Sequence, residues 1–538
     1  MRCSSLVAVA GLLAAVRATP LDDYVSTPSP HYKWHDTGAT IKTVFGGTGH
    51  VLNVTSQQWL DATRAQGPGG TSPIWTHQVV VVIPKNIQFR NVSFAYLTGS
   101  CNENPSVPKP TDEDLLVVDE VTWATGTIGI VVFQLPNCPI VYPDDPTLQK
   151  RTEDAVIAWG WKHFVEDNEA DPEWLIRLPM TKAAMASMQA AQEFLKQEGH
   201  GGPLVAQERG EVGSGWFVAG ASKRGWTTWT VGAVTCPSYP NIIGIAPLVP
   251  IVPNMVQEIH RQWRAYGGWT FAFADYLAIN LTTKVDDPRF TEAMSIVDPS
   301  SEHYRERLSR IPVIAVLSSD DEFMMMDWSN IWYRNQSNPT ERAADLHLLI
   351  AQNSEHSLAT GIPEVLPAIS VLWHSVASGQ PPAMRPQFEY EGPSAIDGAL
   401  HVTVPRSRPP SKVVLYHAET LQSERRDFRW VRLANNQTGL CKLPDIPLPK
   451  PLFGGNCLQP IIWHSVNLTA QAGAALTYTG TPPRPSKEGR WVGYYIELHF
   501  PSSTGMKEEY IVTTPGFVWP DTLPFEDCTG EGCKGHPL

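Results

Sequence analysis

At 538 residues the chain is too long for one simple core, and its 42% hydrophobic and 18% charged content is ordinary for a globular protein. With 54 acidic against 41 basic residues the net charge is −13, and no basic cluster runs beyond two or three residues, which argues against a nucleic-acid partner.

The first elements lie in residues 1–18, MRCSSLVAVAGLLAAVRA. A short Arg-bearing head, an apolar stretch over residues 6–16 and a small-residue exit form the pattern of a secretory signal peptide, too short to span a bilayer. No later stretch is long and apolar enough to cross a membrane, and the end, EGCKGHPL, carries neither a lipid-anchor tail nor an ER-retention tetrapeptide. The expected protein is secreted and extracellular, with no membrane span. Asn-x-Ser/Thr sequons at Asn53, Asn91, Asn280, Asn335, Asn436 and Asn467 favour a glycoprotein behind such a signal. Beyond the leader remain Cys101, Cys138, Cys236, Cys441, Cys457, Cys528 and Cys533. In an oxidising compartment their spacings suggest Cys441 with Cys457 and Cys528 with Cys533, which leaves Cys101 for Cys138 and Cys236 unpaired. No cysteine spacing comes with a matching histidine cluster, so neither a metal site nor a cofactor is expected.

After an N-terminal extension at 19–73, the runs THQVVVVIPKN, SFAYLTGSCNEN and TIGIVVFQLPNCP read as buried strands. Two helical patterns follow, EDAVIAWGWKHFVE and MTKAAMASMQAAQEFLKQ; the second places Ala184, Met188, Ala191 and Leu195 on one core-facing side. Next come the strand WFVAG, a helix, the strand NIIGIAPLV, a helix-rich stretch at about 253–310 placed like a cap insertion, and the strand IPVIAVLSS. Strands alternating with helices imply a mostly parallel sheet, an α/β domain over 74–380. From about 381 to 538 the texture turns proline-rich. There SKVVLYHAET and GYYIELHF, the latter with period-2 alternation, predict a C-terminal all-β, sandwich-like domain.

The stretch GWFVAGASKRGWTTW carries the chemistry. A nucleophile is displayed by a tight strand-to-helix turn when its near neighbours lack bulk, and Gly220, Ala221 and Gly225 meet that demand around Ser222, although Arg224 stands where glycine is commonest. The alternative is a small-residue turn serving helix packing. In α/β-hydrolases an acid and then a histidine follow the serine. Here Asp320, Asp321, Glu322 and Asp327 follow IPVIAVLSS, and LHLLIAQNSEHS ends at His356. Such a histidine takes the serine proton while a carboxylate fixes its tautomer. The oxyanion hole would use the backbone N–H of Lys223 and one from the loop Gly99-Ser100-Cys101-Asn102, with Ser100 the second donor. Lys223 and Arg224 oppose the helix dipole. They form either a structural ion pair, with Glu153 or Asp154 as candidates, or an anchor for a substrate carboxylate or phosphate.

GASKRGWTTW, EDAVIAW, DEF followed by Asp327, NSEHS, RDFRW and TTPGFVWPDTLPF together resemble the PhoPQ-activated pathogenicity-related, autocrine proliferation repressor-like family over residues 75 to 525. The resemblance implies an α/β-hydrolase fold with a C-terminal β-domain, Ser222 as nucleophile, Asp321 as acid and His356 as base, with Asp327 as reserve acid. The chain departs from the family at the Gly99–Asn102 loop and at Pro250, positions that bear on the substrate pocket rather than the triad. The expected function is a secreted serine hydrolase working through an acyl-enzyme on a small ester or peptide. The alternative is a signalling glycoprotein that kept the scaffold and contacts a cell-surface receptor. Carbohydrate recognition by the β-domain is a lesser third reading, resting on the 19 tryptophans.

Overall fold

The computed structural model describes residues 18–538 apart from 68, 104, 168, 198–213, 235–238, 251, 337–344, 435–440, 444–445, 451–455 and 472. The expected leader up to residue 17, Cys236, Asn436 and the side chain of Asn335 lie outside the described residues. The chain divides into two compact units, the first holding residues 1–248, 287–313 and 376–379, the second 249–286, 314–375 and 380–538.

The first unit opens on a short helix, α1 (Pro20–Ser26), closed by a Thr19–Asp22 capping box. Its sheet strands are β1 (Lys33–Lys42), β2 (Thr48–Gln58), β3 (Ile74–Ile83), β4 (Phe89–Leu97), β5 (Thr127–Val132), β6 (Gly215–Ala221) and β7 (Ile242–Leu248), in spatial order β1-β2-β3-β5-β4-β6-β7. The sheet therefore starts well before residue 74, because β1 and β2 hairpin onto β3. Pairing is antiparallel from β1 to β5 and parallel from β5 through β4 and β6 to β7. Parallel neighbours need crossovers, supplied by α2 (Glu113–Thr125), α3 (Glu153–Glu166), α4 (Arg177–Gln197) and α5 (Lys223–Ala233). Val79–Val82 on β3 and all of β5 are buried, as expected of continuous Val/Ile runs with both faces covered. Every residue of α5 is buried.

The second unit contributes β8 (Val313–Ser318) and β9 (Leu346–Ala351) as neighbours, the amphipathic helix α6 (Met255–Tyr266), the helix Ile362–Ala377 and a β-rich C-terminal region. The helix-rich stretch at 253–310 is thus not one body: residues up to 286 go with this unit, and the helices Pro288–Val297 and Glu302–Leu308 go with the first. The C-terminal strands form several antiparallel sheets, the largest built on Lys412–Glu419 and Val492–Pro501. The alternation of GYYIELHF suggests one buried face, yet both faces of this strand are covered. Trp463 packs 5.4 Å from the Tyr495 ring, and Glu497, 1% exposed, lies 2.7 Å from His499 Nε2, so the polar face is buried too. Cys101–Cys138, Cys441–Cys457 and Cys528–Cys533 are disulfides, the three pairings that the spacing suggests. No helix among the described residues is long and apolar enough to cross a membrane. Asn53, Asn91, Asn280 and Asn467 are all exposed.

Candidate functional site

In the first unit the candidate centre is the turn from β6 into α5. Ser222 has φ 56° and ψ −121°, a conformation L-residues rarely adopt. Its N–H donates to the Leu248 carbonyl at the end of β7 (2.9 Å), and its own carbonyl accepts from Trp226 N–H (3.0 Å) to start α5. Two glycines make room for this bend. A Cβ on Gly220 would stand 2.9 Å from the Arg224 carbonyl oxygen and 3.0 Å from that of Leu97, and one on Gly225 would drive into the Leu248 carbonyl oxygen. With the close approaches assigned to positions 220 and 225, Arg224 can occupy the place where glycine is commonest.

Lys223 and Arg224 enter a buried helix against its dipole, and acids meet both. Lys223 Nζ lies 2.7 Å from Asp154 and 3.4 Å from Glu153. Arg224 Nη2 lies 2.6 Å from Glu153, and its Nε donates to the Leu135 carbonyl. Burial opposes the Glu153 charge, but the Arg224 guanidinium, joined by Lys223, outweighs it and holds the carboxyl below its usual range. Arg224 also lies so close to Gly99 that any side chain there would displace the guanidinium. Arg177, which sequence reasoning missed, is fully buried beneath the same turn. Its Nη1 donates to the Lys223 carbonyl (2.8 Å) and its guanidinium sits 4.4 Å from the Trp226 ring centre. Arginine is seldom fully buried unless engaged this way, and only its place in an apolar run, LIRLPM, hints at it.

Ser100, at φ 83°, is exposed on the loop after β4. The loop is tied down on both sides: the Cys101–Cys138 disulfide follows it, Asn102 N–H donates to the Cys138 carbonyl (2.7 Å), and the Gly99 carbonyl accepts from Gln134 N–H (2.7 Å). The backbone N–H of Lys223 belongs to the first residue of α5.

In the second unit the four acids after β8 have four different partners. Asp321, its side chain 1% exposed, accepts from His356 Nδ1 at 2.9 and 3.0 Å through its two oxygens. The backbone N–H groups of Phe323 (2.7 Å) and Met324 (3.0 Å) and the Ser318 hydroxyl (3.3 Å) fix the carboxylate. A carboxylate acceptor at Nδ1 selects the Nδ1–H tautomer and leaves Nε2 as the basic nitrogen. The Phe323 ring stands 4.3 Å from the imidazole. Asp320 instead accepts from Trp463 Nε1 (2.9 Å) and the Ser319 hydroxyl (2.6 Å), and burial pushes its carboxyl well above the usual range. Asp327 pairs with Arg426 and with Arg261 (2.8 Å). Glu322 accepts the backbone N–H of His356 (3.1 Å) and of Val431 (3.2 Å). The structure thus brings Asp321 to His356 and commits Asp327 to arginines. The sequence supplied all four acids but no way to sort them short of the DEF motif.

The profile of a protein family described as PhoPQ-activated pathogenicity-related protein matches residues 21–429. Autocrine proliferation repressor protein A of Dictyostelium discoideum is 32% identical over 536 residues, covering 97% of this chain and 96% of that protein. Among solved structures, acetyl xylan esterase 1 from Thermoanaerobacterium is similar at a TM-score of 0.36 and 11% identity, over 64% of this chain and 90% of the esterase. A glucuronoyl esterase from Solibacter usitatus gives 0.34 and 12% identity, over 66% and 87%.

Proposed function

The chain belongs to the PhoPQ-activated pathogenicity-related protein family, and from that premise we propose that it is a secreted serine hydrolase, peptidase- or esterase-like, with Ser222 as nucleophile, His356 as general base and Asp321 as its orienting acid. The observation that carries this reading is the backbone of Ser222, held at φ 56° on a strand-to-helix turn with two glycines cleared around it. Asp321 on His356 Nδ1 supplies the matching half of the chemistry.

In the proposed reaction His356 Nε2 takes the Ser222 Oγ proton as the oxygen attacks the acyl carbon of a small ester or peptide. Asp321 stabilises the imidazolium. The backbone N–H groups of Lys223 and Ser100 receive the oxyanion, each such donor being worth about 3 kcal/mol of barrier. The imidazolium returns the proton to the leaving group, and water activated by the same nitrogen hydrolyses the acyl-enzyme. Lys223 and Arg224 serve through their side chains as structural cations rather than substrate anchors, because Asp154 and Glu153 already hold them.

A fluorophosphonate probe should label the secreted protein and p-nitrophenyl acetate should be turned over, both lost in Ser222→Ala and His356→Ala. Correctly folded wild type that neither reacts with the probe nor turns over the ester would defeat the reading. One observation favours a second reading: the relative named an autocrine proliferation repressor matches nearly end to end. A receptor-binding glycoprotein would keep its effect on cells in Ser222→Ala.

A further inference from the structure

Of the four acids that follow β8, Glu322 is the one whose carboxylate bonds only to backbone donors in the hydrogen bonds described above. The residue is 4% exposed. One oxygen accepts the N–H of His356 at 3.1 Å, and the other the N–H of Val431 at 3.2 Å. Val431 follows directly on RDFRW, so this single side chain joins three segments of the second unit: the turn after β8, the loop that carries the histidine, and the start of the strand Val431–Arg432. Neighbouring bonds tie the same turn and histidine loop to the C-terminal region. Trp430 N–H donates to the Asp320 carbonyl (3.1 Å), and Trp463 N–H donates to Asn353 Oδ1 (2.8 Å). Asp321 fixes the imidazole from its ring nitrogen, and Glu322 fixes the same residue from its main chain.

We propose that Glu322 is a positioning residue for His356, holding the base's own backbone against Val431 so that the imidazole keeps its place in the reaction. The proposal rests on the serine-hydrolase reading above. It assigns Glu322 no contact with substrate. Its effect falls on kcat rather than KM, since a base displaced by about 1 Å can lose on the order of a hundredfold in rate.

The arrangement is pH-sensitive. As a carboxylate, Glu322 accepts at both oxygens; once protonated, one oxygen becomes an O–H donor facing an N–H donor, and one of the two ties is lost. The charged and titratable groups around it are Asp320 and Asp321 on its own turn, His356 on the loop and Arg429 on the RDFRW segment. Burial first, and then the Asp321 charge, push the Glu322 carboxyl up to about 7. The ties are therefore complete well above pH 7, half lost near it and loosened further below.

The test uses the full secreted chain with p-nitrophenyl acetate from pH 5 to 9, comparing wild type, Glu322→Gln and Ser222→Ala. Wild type should lose kcat on the acid side more steeply than a single protonation allows, Glu322 adding a drop of about tenfold as it takes its proton. Glu322→Gln should lower kcat about tenfold at pH 8 with KM unchanged, and its acid limb should fall to a one-proton slope. A Glu322→Gln protein that keeps the wild-type slope and kcat overturns the inference. Residual turnover in Ser222→Ala at the wild-type level overturns the underlying reading instead. If the variant does not fold, hydrogen exchange of wild type decides: the peptide containing His356 should gain protection, after correction for intrinsic rates, between pH 6 and 8.5. Unchanged protection overturns the proposal.

Discussion

Glu258 on α6 allows the chemistry of a buried acid to be converted into stability. The residue is 1% exposed. Its Oε1 accepts from Met325 N–H and Gln262 Nε2, each at 3.2 Å, while Oε2 is buried with no hydrogen-bond partner among the described residues. Burial pushes the carboxyl up from an ordinary 4.5 to about 8, against the pull of Gln262, Met325 and Arg261. Below pH 4.5 folded and unfolded chains both hold the proton and nothing is lost. Between 4.5 and about 8 only the folded chain holds it, so each pH unit removes about 1.4 kcal/mol, and above that the loss levels off at about 5 kcal/mol. Glu258→Gln replaces the neutral acid with a neutral amide of the same shape, its NH2 standing where the acid's O–H already lacks an acceptor. The variant should match wild type near pH 4.5 and exceed it by several kcal/mol at pH 8.5. Guanidinium unfolding followed by tryptophan fluorescence at the two pH values measures the difference. A gap between variant and wild type that is equal at both would refute the reasoning.

His77 in the first unit runs the opposite way. Its Nε2 meets the Ser56 hydroxyl at 2.9 Å, and burial lowers its pKa from 6.5 to about 4, so stability is complete above pH 6.5 and falls by about 3 kcal/mol as the pH drops to 4. His77→Gln should be less stable at neutral pH but lose less on acidification, as thermal melts at pH 7 and 4.5 would record; equal losses would contradict the burial argument. Gly225→Ala should cost about 1–3 kcal/mol by overpacking against Leu248 and abolish fluorophosphonate labelling, whereas Gly532→Ala, with nothing within 4 Å of its added methyl, should change neither. Labelling of Gly225→Ala at the wild-type rate would show that the turn does not need the space.

Legibility in the sequence followed how local each signal was. The buried central strands were readable because Val79–Val82 and Ile128–Val132 are runs without a polar side chain, and the Ser222 turn because its glycines sit beside it in the chain. The hairpin of β1 and β2 onto β3 was not, since His35, Asp36 and Thr40 on β1 give a polar, largely exposed edge strand with no apolar face to count. Tyr495 and Glu497 read as a solvent face, since nothing in GYYIELHF announces that Trp463 comes to cover Tyr495 or that Glu497 ends buried. The acids after β8 show the same limit. Residues 320 to 322 are consecutive, yet one bonds a tryptophan, one an imidazole and one two backbone amides, a choice made by segments more than thirty positions away.

The alternative in which the scaffold serves only as a binding surface must account for what is retained at Ser222. Its φ of 56° is the kind of backbone outlier that costs about 1–3 kcal/mol, and the residue is not glycine. Two cations enter the buried helix that follows, each working against the dipole by about 0.3–1 kcal/mol, and need the Asp154 and Glu153 carboxylates to offset them. A turn that served helix packing alone could shed both burdens by placing glycine at 222 and neutral residues at 223 and 224. A serine hydroxyl raised on that bend, beside a backbone N–H at the start of a helix, is what acyl transfer requires of the first unit, and a carboxylate locked onto Nδ1 of a histidine is what it requires of the second. Receptor contact requires neither, so a reading confined to receptor contact leaves both features without a use, whereas the proposed acyl transfer uses each.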